Sequence, residues 1–304
     1  MLEALVAPAA QGIVRALLFA GIMVVVGGWC FALRVVPVFD RDERGSAQVR
    51  ARASRTLLLA VGALAMLFAW RLVQQAAAFA DTPSAWATEA PRVITQTTWG
   101  TGWLLQGAAL LLVALAAPGA LGGNTRGTWT LGAGALALAA TPALAGHAVG
   151  APRLAPLAVA LDAMHVTAAG AWLGTLFIIV VAALPVARGT TTGLATELLA
   201  RFSSLALASG GVVALTGLFA SWLHLESLSA LWSSDYGLAL VRKLVVLVGV
   251  AALGGYNWRV VTPRVRATGD LAALRRSAVA ELTLAAILVA LTAVLVATPL
   301  PAEM

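Results

Sequence analysis

AVAELTLAAILVALTAVLVAT, residues 278–298, is a run of 21 residues in which Glu281 is the one ionisable side chain. As an α-helix it is about 31 Å long, which matches the hydrocarbon thickness of a bilayer. Comparable runs cover 11–33, 56–80, 93–117, 128–150, 157–185, 203–224 and 237–259. Lipid offers no partner for backbone N–H and C=O groups, so runs of this length cross it as helices. The expected fold is all-α, a polytopic membrane bundle of eight transmembrane helices. Its halves are 1–150, with four helices, and 151–304.

Composition agrees with this. Of 304 residues, 61% are hydrophobic and 11% charged, against about a quarter charged in a soluble domain. The connections are too short to hold a soluble domain. The single cysteine, Cys30, excludes an internal disulfide, a CxxC redox pair and a multi-thiolate metal centre. The single lysine, Lys243, follows Arg242 rather than glycine, which excludes a Walker A phosphate loop. The opening MLEALVAPAA lacks a basic stretch, and no small-residue cleavage motif follows the first apolar run, so that run is expected to be retained.

The net charge of +7 reads as topology, not as nucleic-acid binding. Segments 34–55, 118–127, 186–202 and 259–276 carry fourteen arginines, whereas the opposite connections carry Arg92 and Arg153. By the positive-inside rule the arginine-rich side is cytoplasmic, and both termini lie outside. Trp86, Trp99, Trp222 and Trp232 fall where an outer interfacial belt belongs.

Three histidines share the outer side. His147 and His224 end the fourth and sixth spans, and His165 lies roughly 12 Å below the boundary in the fifth. Gly210, Ala214, Gly217, Ser221 and His224 form one small-residue stripe, as do Ala140, Ala143 and His147. Asp162, His165, Ala169 and Trp172 share a face. Small residues mark close helix–helix approach, so the histidines are expected to point inward, where three imidazoles suit copper or zinc. The alternative is that each caps a helix end or makes one interhelical hydrogen bond. Asp162 is positioned to orient His165 or to pair with Lys243, since an intramembrane carboxylate needs a partner or a function. Tyr236, Lys243, Val250 and Asn257 repeat every seven residues as one stripe. Met164 adjoins His165 but points about 100° away. Arg71, near the middle of the second span, needs a partner, and Glu281 would reach it only across tilted helices. Pro142 is expected to kink the fourth helix below His147.

The stretches LDAMHVTAAGAWLGTL (161–176), RFSSLALASGGVVALTGLFASWLHL (201–225) and YGLALVRKLVVLVGVAALGGYNWRVVTPRV (236–265) resemble the CopD family, the copper resistance protein D membrane proteins of bacteria. The similar region runs over about 157–265. The resemblance implies a non-enzymatic, multi-pass protein of the bacterial inner membrane that takes copper, as Cu(I) or Cu(II), from the periplasm, often with a periplasmic CopC-like copper-binding protein. It makes His165, Trp172, Gly174, Lys243 and Asn257 motif positions. Few methionines and no His- or Met-rich outer loop speak against high-capacity copper resistance and leave open a role in supplying copper to a cuproenzyme. The leading expectation is copper binding through His147, His165 and His224. Two alternatives are a b-type haem protein with paired axial histidines and a non-transporting assembly subunit of copper homeostasis.

Overall fold

The structure is a computed structural model that describes residues 8–40, 42–145, 154–187, 192–225 and 227–298. Among the described residues it is helical throughout, without a strand. The helices are α1 (Pro8–Arg34), α2 (Glu43–Phe79), α3 (Trp86–Gln96), α4 (Thr98–Leu121), α5 (Thr125–Ala140), α6 (Ala155–Ala187), α7 (Thr192–His224), α8 (Asp235–Thr268) and α9 (Leu271–Leu295). Of these, α1, α2, α4, α6, α7, α8 and α9 are long and apolar enough to cross a membrane.

The helices outrun the apolar runs at the arginine-rich end. Residues 43–55 continue α2, 192–202 begin α7, 260–268 end α8 and 271–277 begin α9. Arginine and alanine are strong helix formers, and the extensions keep a packed face, with Val49, Ala53, Leu198 and Val265 buried. The third span begins at Thr98 instead of 93. Thr97 caps α4 by accepting from the Gly100 N–H at 2.9 Å. Residues 86–96 form the separate helix α3, which turns Ala90 and Val93 onto Ala76.

The fourth span also differs. α5 has 16 residues, about 24 Å, which is short of a full crossing. Pro142 ends this helix rather than kinking it, since α5 stops at Ala140 and a 3-10 turn occupies Ala143–Ala145. Thr141 before it keeps helical backbone angles, but proline has no N–H and cannot extend the hydrogen-bond ladder.

At the centre, α1 packs against α2, α5, α6 and α9, with Ile22, Val25, Val26 and Phe31 fully buried. α1 and α6 meet backbone to backbone. A Cβ on Gly27 would fall on the Gly174 backbone, and one on Gly174 would fall on the Met23 carbonyl. Thr175 Oγ1 donates to Gly27 O at 3.3 Å across this contact. This is the glycine-mediated approach by which membrane helices gain packing.

The arginine-bearing segments gather at one end. Arg50 donates to Asp40 and to the Leu121 carbonyl, both at 3.0 Å. Arg34 donates to Ser204 Oγ at 3.3 Å, and Leu199, Val261 and Val265 pack with Leu271 and Leu274. At the other end Tyr236 packs with Leu295, and Ala158 with Leu223. The described chain therefore begins and ends opposite the arginines.

Candidate functional site

Two polar nodes lie inside the bundle. The first is in the half away from the arginines, where α6 packs along α7. His165 Nδ1 lies 2.9 Å from Thr216 Oγ1. That hydroxyl is 2.6 Å from Val212 O and 3.3 Å from Val213 O. Both carbonyls only accept, so they take the single hydroxyl proton. The hydroxyl oxygen must accept from Nδ1–H, and the neutral ring keeps an Nε2 lone pair. The His165 ring is also within hydrogen-bonding reach of the Val213 backbone. Gly210 and Gly217 give this face its flatness, the first against the Trp172 ring and the second against His165 Cε1.

Asp162 lies one turn from His165 on α6. It is within electrostatic reach of Lys243 on α8, which in turn reaches His165. Asp162 and Lys243 make no direct ion pair among the described residues. The hydrogen bond that orients His165 comes from Thr216 and not from Asp162. His224 ends α7 eight residues beyond Thr216, about 12 Å along the axis, and meets the edge of the buried Tyr236 ring with 6.3 Å between centroids. His147 lies outside the described residues. Met164 is half exposed and lines an open apolar groove with Leu136, Ala168 and Val212. Among the described residues no group of three or more His, Cys, Asp or Glu side chains is placed to hold a metal.

The second node lies deeper. Glu281 on α9 is 4% exposed. Its Oε1 accepts from the Trp172 indole N–H and its Oε2 from the Asn257 amide, each at 2.9 Å. Ser277 Oγ donates to Asn257 Oδ1, which fixes the amide so that Nδ2 faces the carboxylate. Both donors stand on π-helical turns, Gly170–Gly174 in α6 and Asn257–Val261 in α8.

Arg71 is partnered elsewhere. It donates to Gln106 Oε1 at 2.9 Å and lies over the Trp99 ring, 5.7 Å from its centroid. Gln106 passes the chain on to Thr141 at 3.4 Å.

Sequence reasoning missed Thr216 and Ser277, and weighed Glu281 only as a partner for Arg71. Thr216 looks like an ordinary back-bonding threonine of a membrane helix, and it does bond Val212. Glu281 announces itself only as the one acid of its span. Its partners come from 24 and 109 residues away.

A multi-pass helical bundle with His165, Asp162 and Lys243 near one level and Glu281 at another defines a membrane protein built around sparse intramembrane polar sites. Comparison with known proteins places it more closely. Residues 196–295 match the family described as Copper resistance protein D, and residues 1–152 match Copper resistance protein D-like, N-terminal domain. The chain belongs to the copper resistance protein D family. It is similar to the copper transport protein CutJ of Bacillus subtilis (strain 168), at 28% identity over 212 residues. That match covers 68% of this chain and 38% of the relative, so the chain spans well under half of that protein's length. No solved structure matches it.

Proposed function

We propose that this protein carries copper inward across the bacterial inner membrane from the periplasm, with His165 as the intramembrane receiving ligand. The observation that carries the reading is the Thr216 hydrogen bond, which leaves Nε2 of His165 as an available nitrogen donor. A ligating histidine is usually held in this way through its other nitrogen. The donor set fits copper in transit: one imidazole binds a borderline or soft ion without enclosing it. In this reading the positive-inside rule puts the arginine end in the cytoplasm and both termini in the periplasm, with α5, though short, serving as the fourth of eight crossings.

His224 and His147 act as outer stations of the route, with His165 next inward. The distance of about 12 Å along α7 between the levels of His224 and Thr216 suits successive binding, not one shared ion. Asp162 lowers the cost of bringing a cation to this depth, and the incoming ion competes with Lys243 for its charge. Delivery by a periplasmic CopC-like protein belongs to the same proposal.

Copper titration of the purified full-length chain tests it. Stoichiometric binding is expected, weakened by His165→Ala and abolished by His165→Ala with His224→Ala. Undiminished binding in the double variant excludes the site. The haem alternative needs a second axial nitrogen level with His165, and His224 does not lie at that level. A Soret band in the purified protein would restore it.

A further inference from the structure

We propose that Glu281 is a proton-binding site whose occupancy is linked to copper, so that copper entering at His165 is exchanged for a proton leaving Glu281. This rests on the copper reading above and names its coupling ion. The carboxyl is buried at 4% exposure between three helices. Its two hydrogen-bond partners, Trp172 and Asn257, are neutral, and no ion pair reaches it among the described residues. By position along the helices packed against α9, the neighbouring titratable groups are Cys30 and Arg34 on α1 and Tyr256 and Arg259 on α8, with Arg275 and Arg276 on its own helix. None of them bonds to it. Arg34 bonds to Ser204, and Arg259 lies over the exposed Trp258 ring.

Such a carboxyl has two forms in tension. The indole and amide donors favour the carboxylate, and dry surroundings without a cation favour the acid. A proton is the smallest ligand that settles this tension. Asn257 and Ser277 continue the network toward the arginine-rich end, because Ser277 lies one turn nearer the start of α9.

The link to copper follows the two helices that serve both nodes. α6 carries His165 and, two turns on, Trp172. α8 carries Lys243 and, four turns on, Asn257. Both donors to Glu281 sit on π turns, a distortion concentrated at functional sites. A cation at His165 that draws Asp162 away from Lys243 therefore acts on the helices that hold the carboxyl. The step balances as the O–H bond of Glu281 breaking and its proton passing, on the Ser277 side, to water at the arginine-rich end, which offsets the charge of one entering Cu(I); no bond forms from Glu281 to copper and no electron is transferred.

Infrared difference spectra of the full-length protein in lipid, with and without Cu(I) kept reduced by ascorbate, test the proposal. Wild type is expected to show the C=O stretch of a protonated carboxylic acid that diminishes on copper addition. Glu281→Gln is expected to lose the band and still bind copper, and Glu281→Asp to restore a copper-responsive band. Trp172→Phe, which removes one donor and keeps the acid, is expected to move the band's frequency. A wild-type spectrum without this band from acid to alkaline pH overturns the proposal, as does a band indifferent to bound copper. Metal analysis of the same samples separates the two readings. Copper bound with no band response defeats the proton link alone, whereas absence of bound copper defeats the copper reading and this proposal with it.

Discussion

At the scale of single residues, the candidate site turns on a hydroxyl. Thr216 commits its proton to Val212 and so dictates which nitrogen of His165 is free. Thr216→Val is expected to weaken copper binding by about 10–100-fold, the usual cost of losing a partner behind a metal ligand. Thr216→Ser keeps the hydroxyl and is expected to bind nearly as wild type in the same titration. Copper binding should also fall as the solution is acidified, because protons compete for Nε2. Arg71 gives a stability counterpart. Arg71→Leu leaves the Gln106 amide, 3% exposed, without its charged partner at 2.9 Å. The expected loss is about 1–3 kcal/mol, read as a lower midpoint of thermal unfolding in detergent. His165, Asp162 and Lys243 could be picked out from the sequence because a polar group in an apolar run is conspicuous. Thr216 could not, since its value lies in a ring that reaches it from another helix.

Single helices show where local chemistry and packing part company. The α1–α6 contact requires glycine at positions 27 and 174, where backbone lies against backbone. Gly174→Val is expected to separate the helices, costing at least the about 1–3 kcal/mol typical of an overpacked core. Loss of monodisperse protein in size-exclusion chromatography is the readout. Gly62 on α2 faces open space, so Gly62→Ala is expected to be neutral or mildly stabilising. Nothing in composition distinguishes these glycines. The spans at 11–33 and 203–224 were legible because twenty apolar residues leave no other solution in lipid. The extension of α2 and α7 past the bilayer was not, since the hydrophobic runs stop there; Val49, Ala53 and Leu57 on α2 and Leu194, Leu198 and Phe202 on α7 repeat at helical spacing, but only the packing shows that they face inward. The early stop of α5 had its signal in Pro142, whose effect as kink or terminus depends on what packs beyond it.

For the whole molecule, the charge asymmetry and the packing describe one axis. Arg50 ties 34–55 to 118–127, and Arg34 ties the first of these to α7, so the arginine segments share an end by contact as well as by count. Single-cysteine accessibility tests which way that end faces. Ser227→Cys is expected to react with a membrane-impermeant maleimide from the periplasmic side, and Arg52→Cys only after the membrane is permeabilised. Cys30, 8% exposed, is expected to stay silent in both. Labelling of the Arg52 position from the periplasmic side would reverse the proposed orientation.

The amino-acid sequence alone determined that this chain is a helical membrane protein, which residues are costly inside it, and which loops share a side. These follow from local terms: transfer of side chains into lipid, satisfaction of the backbone within each segment, and counted charge. Only the tertiary structure decided what the costly groups do. It paired Arg71 with Gln106, turned His165 to Thr216, and brought Trp172 and Asn257 onto Glu281. Each of those contacts joins side chains on different helices, and helix packing in lipid is chosen by shape and by satisfaction of buried polar atoms across the whole bundle.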